Sequence, residues 1–350
     1  MNQTKISLPF GSWKSPISAK MLTEAGIAMS DLRTYKGSSF WRESRPAEKG
    51  RQVLMQRDAI GVIQSWTPPD WNVRTRVHEY GGNAYVLFDG GVVFSNFADQ
   101  RLYWQKTPGS APIALTPAGF QYADGFFDAA NQRLVFVRED HQPSTVKEHG
   151  EEQNEIVAIA IPSDGAPLDA GQVLVTGSDF YAFPRVNRKG DQLVWVEWDH
   201  PHMPWDRSRL KRAALSEGKL VAIDVLVDQA QRSPTEPSFS ADGQLYVVDD
   251  PQNWWNLAHV DGKTLRPIAP IEREFAGPLW SVGTTSYLLL DEKMALVRTS
   301  LAAVDALSLL DLESGLYTPV PLPFTAINEI QVLSKTRSFA QFSVIYQRLA

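Results

Sequence analysis

The sequence predicts an all-β protein built as a seven-bladed β-propeller, and three observations support this prediction. Most apolar residues fall in short runs that end at glycine, proline or another turn residue, as short strands do. These runs recur at intervals of about 40 to 60 residues, close to the roughly 40 to 50 residues of a four-stranded blade. The 350 residues also include 11 Trp, 10 Tyr and 16 Phe beside 23 Gly and 23 Pro, which is typical of many strands separated by tight turns.

The first 37 residues are predicted to be an N-terminal extension that contains one short helix. Ser18 can cap this helix and Gly26 can end it. Met21, Leu22 and Ala25 fall between them at helical spacing. The propeller is then expected to occupy residues 38–350, and its blades are expected to begin near residues 38, 82, 122, 181, 235, 276 and 326.

The predicted strands are runs in which β-branched and aromatic residues dominate. The apolar stretch 301–310 is also interpreted as strand, because strand-like runs flank it. The other predicted strands are 53–57, 91–95, 134–137, 156–159, 193–196, 245–248, 287–290 and 342–346.

A repeated unit consists of a short strand, a tight turn and a second apolar strand. The stretch 237–245 aligns with 184–193, and 125–134 is a weaker copy. Such sheets are apolar on both faces and must stack on neighbours to bury them. Residues 327–350 leave room for two or three strands, so the last blade is expected to be short or to take a strand from the N-terminal segment.

The composition excludes several classes of protein. The 34 basic and 40 acidic residues give a net charge of −6, which argues against nucleic-acid binding through bulk positive charge. The chain has no cysteine, so disulfides, thiolate zinc sites and a cysteine nucleophile are absent. It has no apolar run of membrane-spanning length and no secretory leader pattern. We therefore expect a cytoplasmic protein with no nucleic-acid or membrane partner.

Eight motifs between residue 11 and about residue 325, several of them aromatic-rich, allow a comparison with known families. They are WKSPI (13–17), RTRVHEYGG (74–82), FSNFADQRLY (94–103), YADG (122–125), VREDH (137–141), WVEWDHP (195–201), MPWD (203–206) and WWNL (254–257). Together they resemble the first half of bacterial S9 (prolyl oligopeptidase-type) serine peptidases, in the acylaminoacyl-peptidase and dipeptidyl-aminopeptidase-like branch. The resemblance implies a β-propeller that is followed, in the family, by an α/β-hydrolase domain carrying Ser, Asp and His.

The catalytic half of that family has no counterpart in this sequence. No Gly-x-Ser-x-Gly occurs, and that motif supplies the strained turn that exposes the serine nucleophile. The chain also lacks the alternation of strands and helices on which such a triad is built. No catalytic residue is therefore carried over, and no cofactor or metal is expected.

The resemblance favours a non-catalytic propeller domain that gates access and orients peptides, inactive as a peptidase by itself. Its expected partners are a peptide substrate or the α/β-hydrolase domain of the parent enzyme. One alternative is a free-standing propeller that binds proteins or peptides. A weaker alternative is a metal-dependent propeller hydrolase.

The first candidate substrate-binding group is Arg74, Arg76, His78, Glu79 and Tyr80. In a strand, Glu79 would point to one side and the other four residues to the opposite side. Two guanidinium groups could then clamp a peptide carboxylate through paired hydrogen bonds. Alternatively, Arg and Glu pair across neighbouring blades and hold the ring together.

The second candidate group is Asp199, His200, Trp205 and Asp206, within the dense polar stretch 199–206. Two histidines and two aspartates in eight residues could bind a divalent metal. The favoured interpretation is a rigid loop in which prolines fix the backbone, the tryptophan fills a pocket and the aspartates bond local amides. Contact with the substrate is the third alternative. The acidic stretches 139–141 and 149–152 are interpreted as solvated loop. Glu151 and Glu152 resemble the paired glutamates that grip a substrate α-amine in dipeptidyl peptidases, but the surrounding residues do not match that motif, so the role is not transferred.

Overall fold

A computed structural model describes residues 7–15, 17–18, 26–146, 150–335 and 340–347 of the chain. Its 26 described strands form six four-stranded antiparallel sheets and one two-stranded sheet. The strands of each four-stranded sheet neighbour one another in chain order, so each sheet is a meander, the unit of a propeller blade. The prediction of an all-β propeller is confirmed.

The first three blades occupy residues 28–175. They include a single turn of 3-10 helix, Pro46–Glu48. The strands are β1 Ala28–Tyr35, β2 Ser38–Arg45, β3 Arg51–Arg57 and β4 Ile63–Ser65 in blade 1; β5 Tyr85–Phe88, β6 Gly91–Ser95, β7 Leu102–Gln105 and β8 Ile113–Ala114 in blade 2; and β9 Phe120–Asp128, β10 Arg133–Asp140, β11 Gln153–Ala160 and β12 Gln172–Val175 in blade 3.

Blades 4 to 6 and a final two-stranded sheet, here the terminal hairpin, occupy residues 180–347. Their strands are β13 Phe180–Val186, β14 Gln192–Trp198, β15 Arg209–Ser216 and β16 Lys219–Val227 in blade 4; β17 Thr235–Phe239, β18 Leu245–Asp249, β19 Asn256–Asp261 and β20 Thr264–Pro267 in blade 5; β21 Tyr287–Leu289, β22 Met294–Leu301, β23 Val304–Asp311 and β24 Tyr317–Val320 in blade 6; and β25 Ala326–Lys335 and β26 Ala340–Gln347 in the terminal hairpin.

The hydrophobic core consists of layers between neighbouring blades, because each sheet buries both of its faces. Val86 of blade 2 lies in one layer with Phe136 and Val157 of blade 3. Burying each such side chain stabilises the fold by about 1.5 to 3 kcal/mol. The first strands of successive blades contact one another, β5 with β9, β9 with β13 and β13 with β17, so these strands surround the axis of the ring.

The number of blades differs from the prediction, because the residues that the structure describes form six complete blades and not seven. The remaining position in the ring is occupied by the terminal hairpin. Ile327 and Ile330 pack against Leu296 of blade 6, and Ile345 packs against Trp41 of blade 1. Residues 326–347 supply only two long strands, so the hairpin fills the gap between blades 6 and 1 without forming a four-stranded sheet.

The N-terminal boundary also differs from the prediction. Strand β1 begins at Ala28, inside the stretch that was assigned to an extension, and it pairs with β2. The predicted helix at 18–26 lies mostly outside the described residues, and the described parts of 7–27 contain no helix. The eight predicted strands all fall on observed strands, whereas 301–310 spans the turn between β22 and β23. No helix in the described ranges is long and apolar enough to cross a membrane.

The connections that form the candidate functional site all lie on one face of the ring. Since neighbouring strands are antiparallel, a loop from the second to the third strand of a blade emerges on the same side as a loop that enters the next blade. We call this side the loop face. The tight turns between the first and second strands lie on the opposite side.

Candidate functional site

A cavity of about 330 Å³ lies among the connections of the loop face. It is formed by the loops that enter blades 2, 4 and 6 and by the loops between the second and third strands of blades 3 and 4. We call it the acidic cavity, after the five carboxylates in its wall: Glu79, Glu139, Glu151, Glu152 and Asp179.

Among the residues that the structure describes, the lining of the acidic cavity includes no lysine and no arginine. Five carboxylates that face no described lysine or arginine in this wall create a negative potential that attracts cations. Aromatic rings form the rest of the wall, and ring faces also attract cations. These rings belong to Tyr80, Phe180, Trp198, Trp205 and Trp280.

His78 occupies the inner wall of the cavity. Its Nε2 lies 3.2 Å from Oδ1 of Asn154, and its ring meets Phe180 and Trp198 edge-on at 5.2 and 5.4 Å. Burial lowers the pKa of His78, although Glu139 acts in the opposite direction. The imidazole is therefore neutral at pH 7 and adds no positive charge to the cavity.

Glu139 connects two loops of the wall. Its buried carboxylate accepts a 2.6 Å hydrogen bond from the backbone N–H of His78. Its other oxygen lies 3.1 Å from Nε2 of His141, whose Nδ1 is 3.3 Å from Glu152. The hydrogen bond to Glu139 raises the pKa of His141. Glu152 is thus held at the cavity by a histidine that gains charge as the pH falls.

A second histidine holds the neighbouring glutamate. Nδ1 of His200 lies 3.3 Å from Asp179 and 3.4 Å from Glu151. One donor atom from each of these three residues lies within 4.8 Å of the others, and imidazole and carboxylate are ligand types that divalent metals accept. His202, Asp199 and Asp206 do not join any such group among the described residues, so the stretch 199–206 does not form the metal site that was weighed from sequence.

The structure brings five of the nine predicted substrate-binding residues together. His78, Glu79, Tyr80, His200 and Trp205 all line the acidic cavity. They come from two blades that are separated by more than 100 residues in sequence.

Arg74 and Arg76 lie outside the cavity. Both guanidinium groups stack on the ring of Phe97, at 4.8 and 4.4 Å from its centre. Side chains do not alternate along 74–80 as predicted, because the chain turns: the N–H of Glu79 donates to the carbonyl of Arg76 at 2.7 Å. His78 and Glu79 have φ of 53° and 64°, which are left-handed and not extended conformations. The interpretation of 74–80 as a single strand is wrong for this reason.

Asp199 and Asp206 support the cavity from behind. Asp199 accepts a hydrogen bond from the backbone N–H of Asp179 at 2.8 Å and forms an ion pair with Arg209 at 2.5 Å. Asp206 accepts from the backbone N–H of Met203 at 3.2 Å. Trp205 is half-buried, with its ring 4.6 Å from that of Trp280. Asp206 thus bonds a local amide and Asp199 a distant one, and the interpretation of 199–206 as a rigid loop stays a prediction.

Several lining residues were not predicted to belong to a site. Glu139, Glu151 and Glu152 were interpreted as solvated loop, and Asp179 and Trp280 were not singled out. Part of the signal was positional, since four of them lie on connections and Glu139 lies at the end of β10, and a propeller topology places all of these on one face. The sequence alone does not show which of these connections bend toward one another.

Comparisons with known proteins found relatives among solved structures only; no family model and no curated protein sequence matches the chain. A puromycin hydrolase is 30% identical with a TM-score of 0.82, and a puromycin-hydrolyzing peptidase of Mycobacterium tuberculosis is 32% identical with the same TM-score. Each match covers 93% of this chain and 51% of the other, so the chain spans about half the length of these relatives. A prolyl endopeptidase, 13% identical with a TM-score of 0.62, shares the fold.

Proposed function

Because this chain matches the non-catalytic propeller portion of S9-type serine peptidases, we propose that it orients peptides by holding their protonated amino terminus in the acidic cavity. It is not itself a peptidase. In S9 peptidases such a propeller accompanies an α/β-hydrolase domain, and we infer that a partner of this kind would face the cavity. The relatives described as hydrolases and as a peptidase support this class of substrate.

The observation that carries the proposal is the lining of the cavity. Five carboxylates, with no lysine or arginine among the lining residues that the structure describes, favour a cationic ligand. An α-ammonium group carries three N–H donors, and a charge-assisted hydrogen bond contributes about 1.5 to 3 kcal/mol. Glu151 and Glu152 are suited to accept these bonds, because each is partly exposed and its ion-pair partner in the described part of the chain is a histidine.

The aromatic walls of the acidic cavity determine which side chain is favoured on the first residue of the bound peptide. Trp198 and Phe180 stack 5.3 Å apart on one side, and Tyr80 and Trp280 meet at 5.4 Å on another. Such walls exclude water and pack against an apolar first side chain. We therefore expect a free amino terminus followed by an apolar or aromatic residue to bind better than one followed by an acidic residue.

Calorimetric titration with short peptides tests the proposal. Phe-Ala-Ala with a free amine should bind at least tenfold more tightly than its N-acetylated form, because acetylation removes the charge. The double variant E151Q/E152Q should reduce binding of the free peptide to the level of the acetylated one. E313Q, which changes an exposed glutamate in the turn between β23 and β24, is the matched control and should bind like the unchanged chain. Equal affinity for both peptides would contradict the proposal.

Assays with chromogenic aminoacyl and acylaminoacyl substrates test the absence of peptidase activity. The purified chain should give no turnover above background. Hydrolysis that survives purification and is blocked by a serine-directed phosphonate would show that the chain carries its own nucleophile.

A further inference from the structure

A segment between blades 5 and 6 crosses the axis of the ring. Residues 277–283, here the strap, pair with residues 81–83 at the entrance of blade 2. Val282 forms a parallel bridge with Gly82, the N–H of Asn83 donates to its carbonyl at 2.9 Å, and its own N–H donates to Gly81 at 3.1 Å. Blades 2 and 6 are not neighbours in the ring, so this pairing spans the central channel.

Further blades hold the end of the strap. Arg33 of blade 1 donates to the carbonyl of Gly283 at 3.2 Å. Glu236 of blade 5 holds the residues that directly follow the strap, since it accepts from Thr284 at 3.2 Å and from both the N–H and the hydroxyl of Ser286 at 2.6 Å. Contacts from blades 1, 2 and 5 therefore fix a segment that belongs to the connection into blade 6.

The strap and residues 81–83 are in direct backbone contact. A Cβ at Gly82 would lie 2.1 Å from the carbonyl oxygen of Val282, and a Cβ at Gly283 would lie 2.5 Å from Cβ of Asn83. Only glycine allows so close an approach of two backbones. The contact leaves no passage for a ligand between the two segments.

A second cavity lies on the far side of this contact. It has a volume of about 400 Å³ and includes Arg33, Arg42 and Arg298 in its wall. Tyr80 and Val282 line both this axial cavity and the acidic cavity. The rings of Tyr80 and Trp280, 5.4 Å apart, add to the wall on the acidic side.

We propose that the strap is a fixed partition that closes the axial channel behind the acidic cavity, so that a ligand enters and leaves this cavity only through the loop face. The buried Val282 anchors the partition, while the half-exposed Trp280 belongs to the cavity wall. The partition itself does not depend on the proposed function. Only the nature of the ligand, a peptide with a free amine, is taken from it.

Thiol reactivity tests whether the partition is fixed. The chain has no cysteine, so V282C and W280C each carry a single thiol on the same segment. V282C should react with an aromatic disulfide reagent at least 100-fold more slowly than W280C, because Val282 is 3% exposed and Trp280 is 52% exposed. Adding G82A to V282C should accelerate the reaction, since the new Cβ displaces the strap. If V282C reacts as fast as W280C, the strap opens and the proposal is wrong.

A blocking experiment tests the route. A polyethylene glycol maleimide attached to W280C should abolish binding of Phe-Ala-Ala. The same adduct on N328C, an exposed position that lines the axial cavity, should leave the affinity within twofold of unmodified N328C. Loss of binding with the N328C adduct would place the route through the channel and overturn the proposal. If the unchanged chain binds no peptide, the proposed function fails, and the thiol rates alone decide whether the partition exists.

Amide hydrogen exchange gives a second measure in case G82A does not fold. The N–H groups of Asn83 and Val282 should exchange as slowly as those of the inner strands, since both are hydrogen-bonded across the partition. Exchange at the rate of an exposed turn would contradict a fixed strap.

Discussion

His141 illustrates how a single residue makes the cavity sensitive to pH. Its imidazole lies between Glu139 at 3.1 Å and Glu152 at 3.3 Å, and the bond to Glu139 raises the pKa of His141 above its ordinary value of 6.5. The pair therefore stabilises the fold fully below pH 6.5, and the stabilisation is lost as the pH rises through the raised pKa. His78 acts in the opposite sense, because its lowered pKa means that stability is lost as the pH falls below 6.5.

We predict that H141Q lowers the free energy of unfolding at pH 5.5 by about 0.2 to 1 kcal/mol more than at pH 9, the range for partly exposed ion pairs. Urea unfolding at the two pH values measures the difference. H259Q, which changes a histidine on blade 5 that bonds Gln244, is the control. Its effect on the free energy of unfolding should be the same at pH 5.5 and at pH 9. A larger loss at pH 9 than at pH 5.5 would contradict the assigned role of His141.

At the scale of the element, strands and tight turns follow from local sequence, and loops do not. Short runs of β-branched and aromatic residues predicted the eight strands, because a strand that is buried on both faces needs such side chains at nearly every position. The turn at 77–81 was missed because part of its stabilisation comes from another blade, through the hydrogen bond from His78 to Glu139. Residues 61 positions apart leave no local pattern from which such a bond could be predicted.

Gly125 in β9 shows how closely two blades approach. A Cβ at this position would lie 2.2 Å from Cε1 of Phe136 and 2.6 Å from Cγ2 of Val86 in blade 2. We predict that G125A destabilises the chain by about 1 to 3 kcal/mol, the cost of overpacking a filled core. The matched control is G277A, where a Cβ would meet no atom within 4 Å, and its free energy of unfolding should change by less than about 0.5 kcal/mol. Equal effects in urea unfolding would show that the two blades can move apart.

At the scale of the whole molecule, the terminal hairpin closes the ring between blades 6 and 1. The carboxylate of Glu329 accepts hydrogen bonds from the backbone N–H groups of Asp31 and Leu32, and burial raises the pKa of this carboxyl group. Ile327 and Ile330 are each 1% exposed and cover the outer face of blade 6. Without these contacts, apolar faces of the first and last blades would meet water.

We predict that I330A destabilises the chain by about 2 to 4 kcal/mol, as large-to-small core substitutions do. Amide exchange should accelerate first in β1 and β21, which both contact β25. V304A, at a residue that is 50% exposed, should change the free energy of unfolding by less than about 0.5 kcal/mol. Uniform acceleration of exchange in all blades would indicate that the ring opens as one cooperative unit instead of at this seam.

The sequence by itself determined the architecture, since strand length, turn residues and the spacing of repeats are local properties that a meander needs in every blade. It also placed five of the cavity residues in two candidate groups, because polar clusters beside aromatic residues are visible in a single stretch of chain. Only the tertiary structure decided that Arg74 and Arg76 stack on Phe97, that glutamates from blade 3 reach the site, and that the strap closes the axis. These features depend on which loops meet across the ring, and contacts between residues far apart in the chain are set by the packing of whole blades.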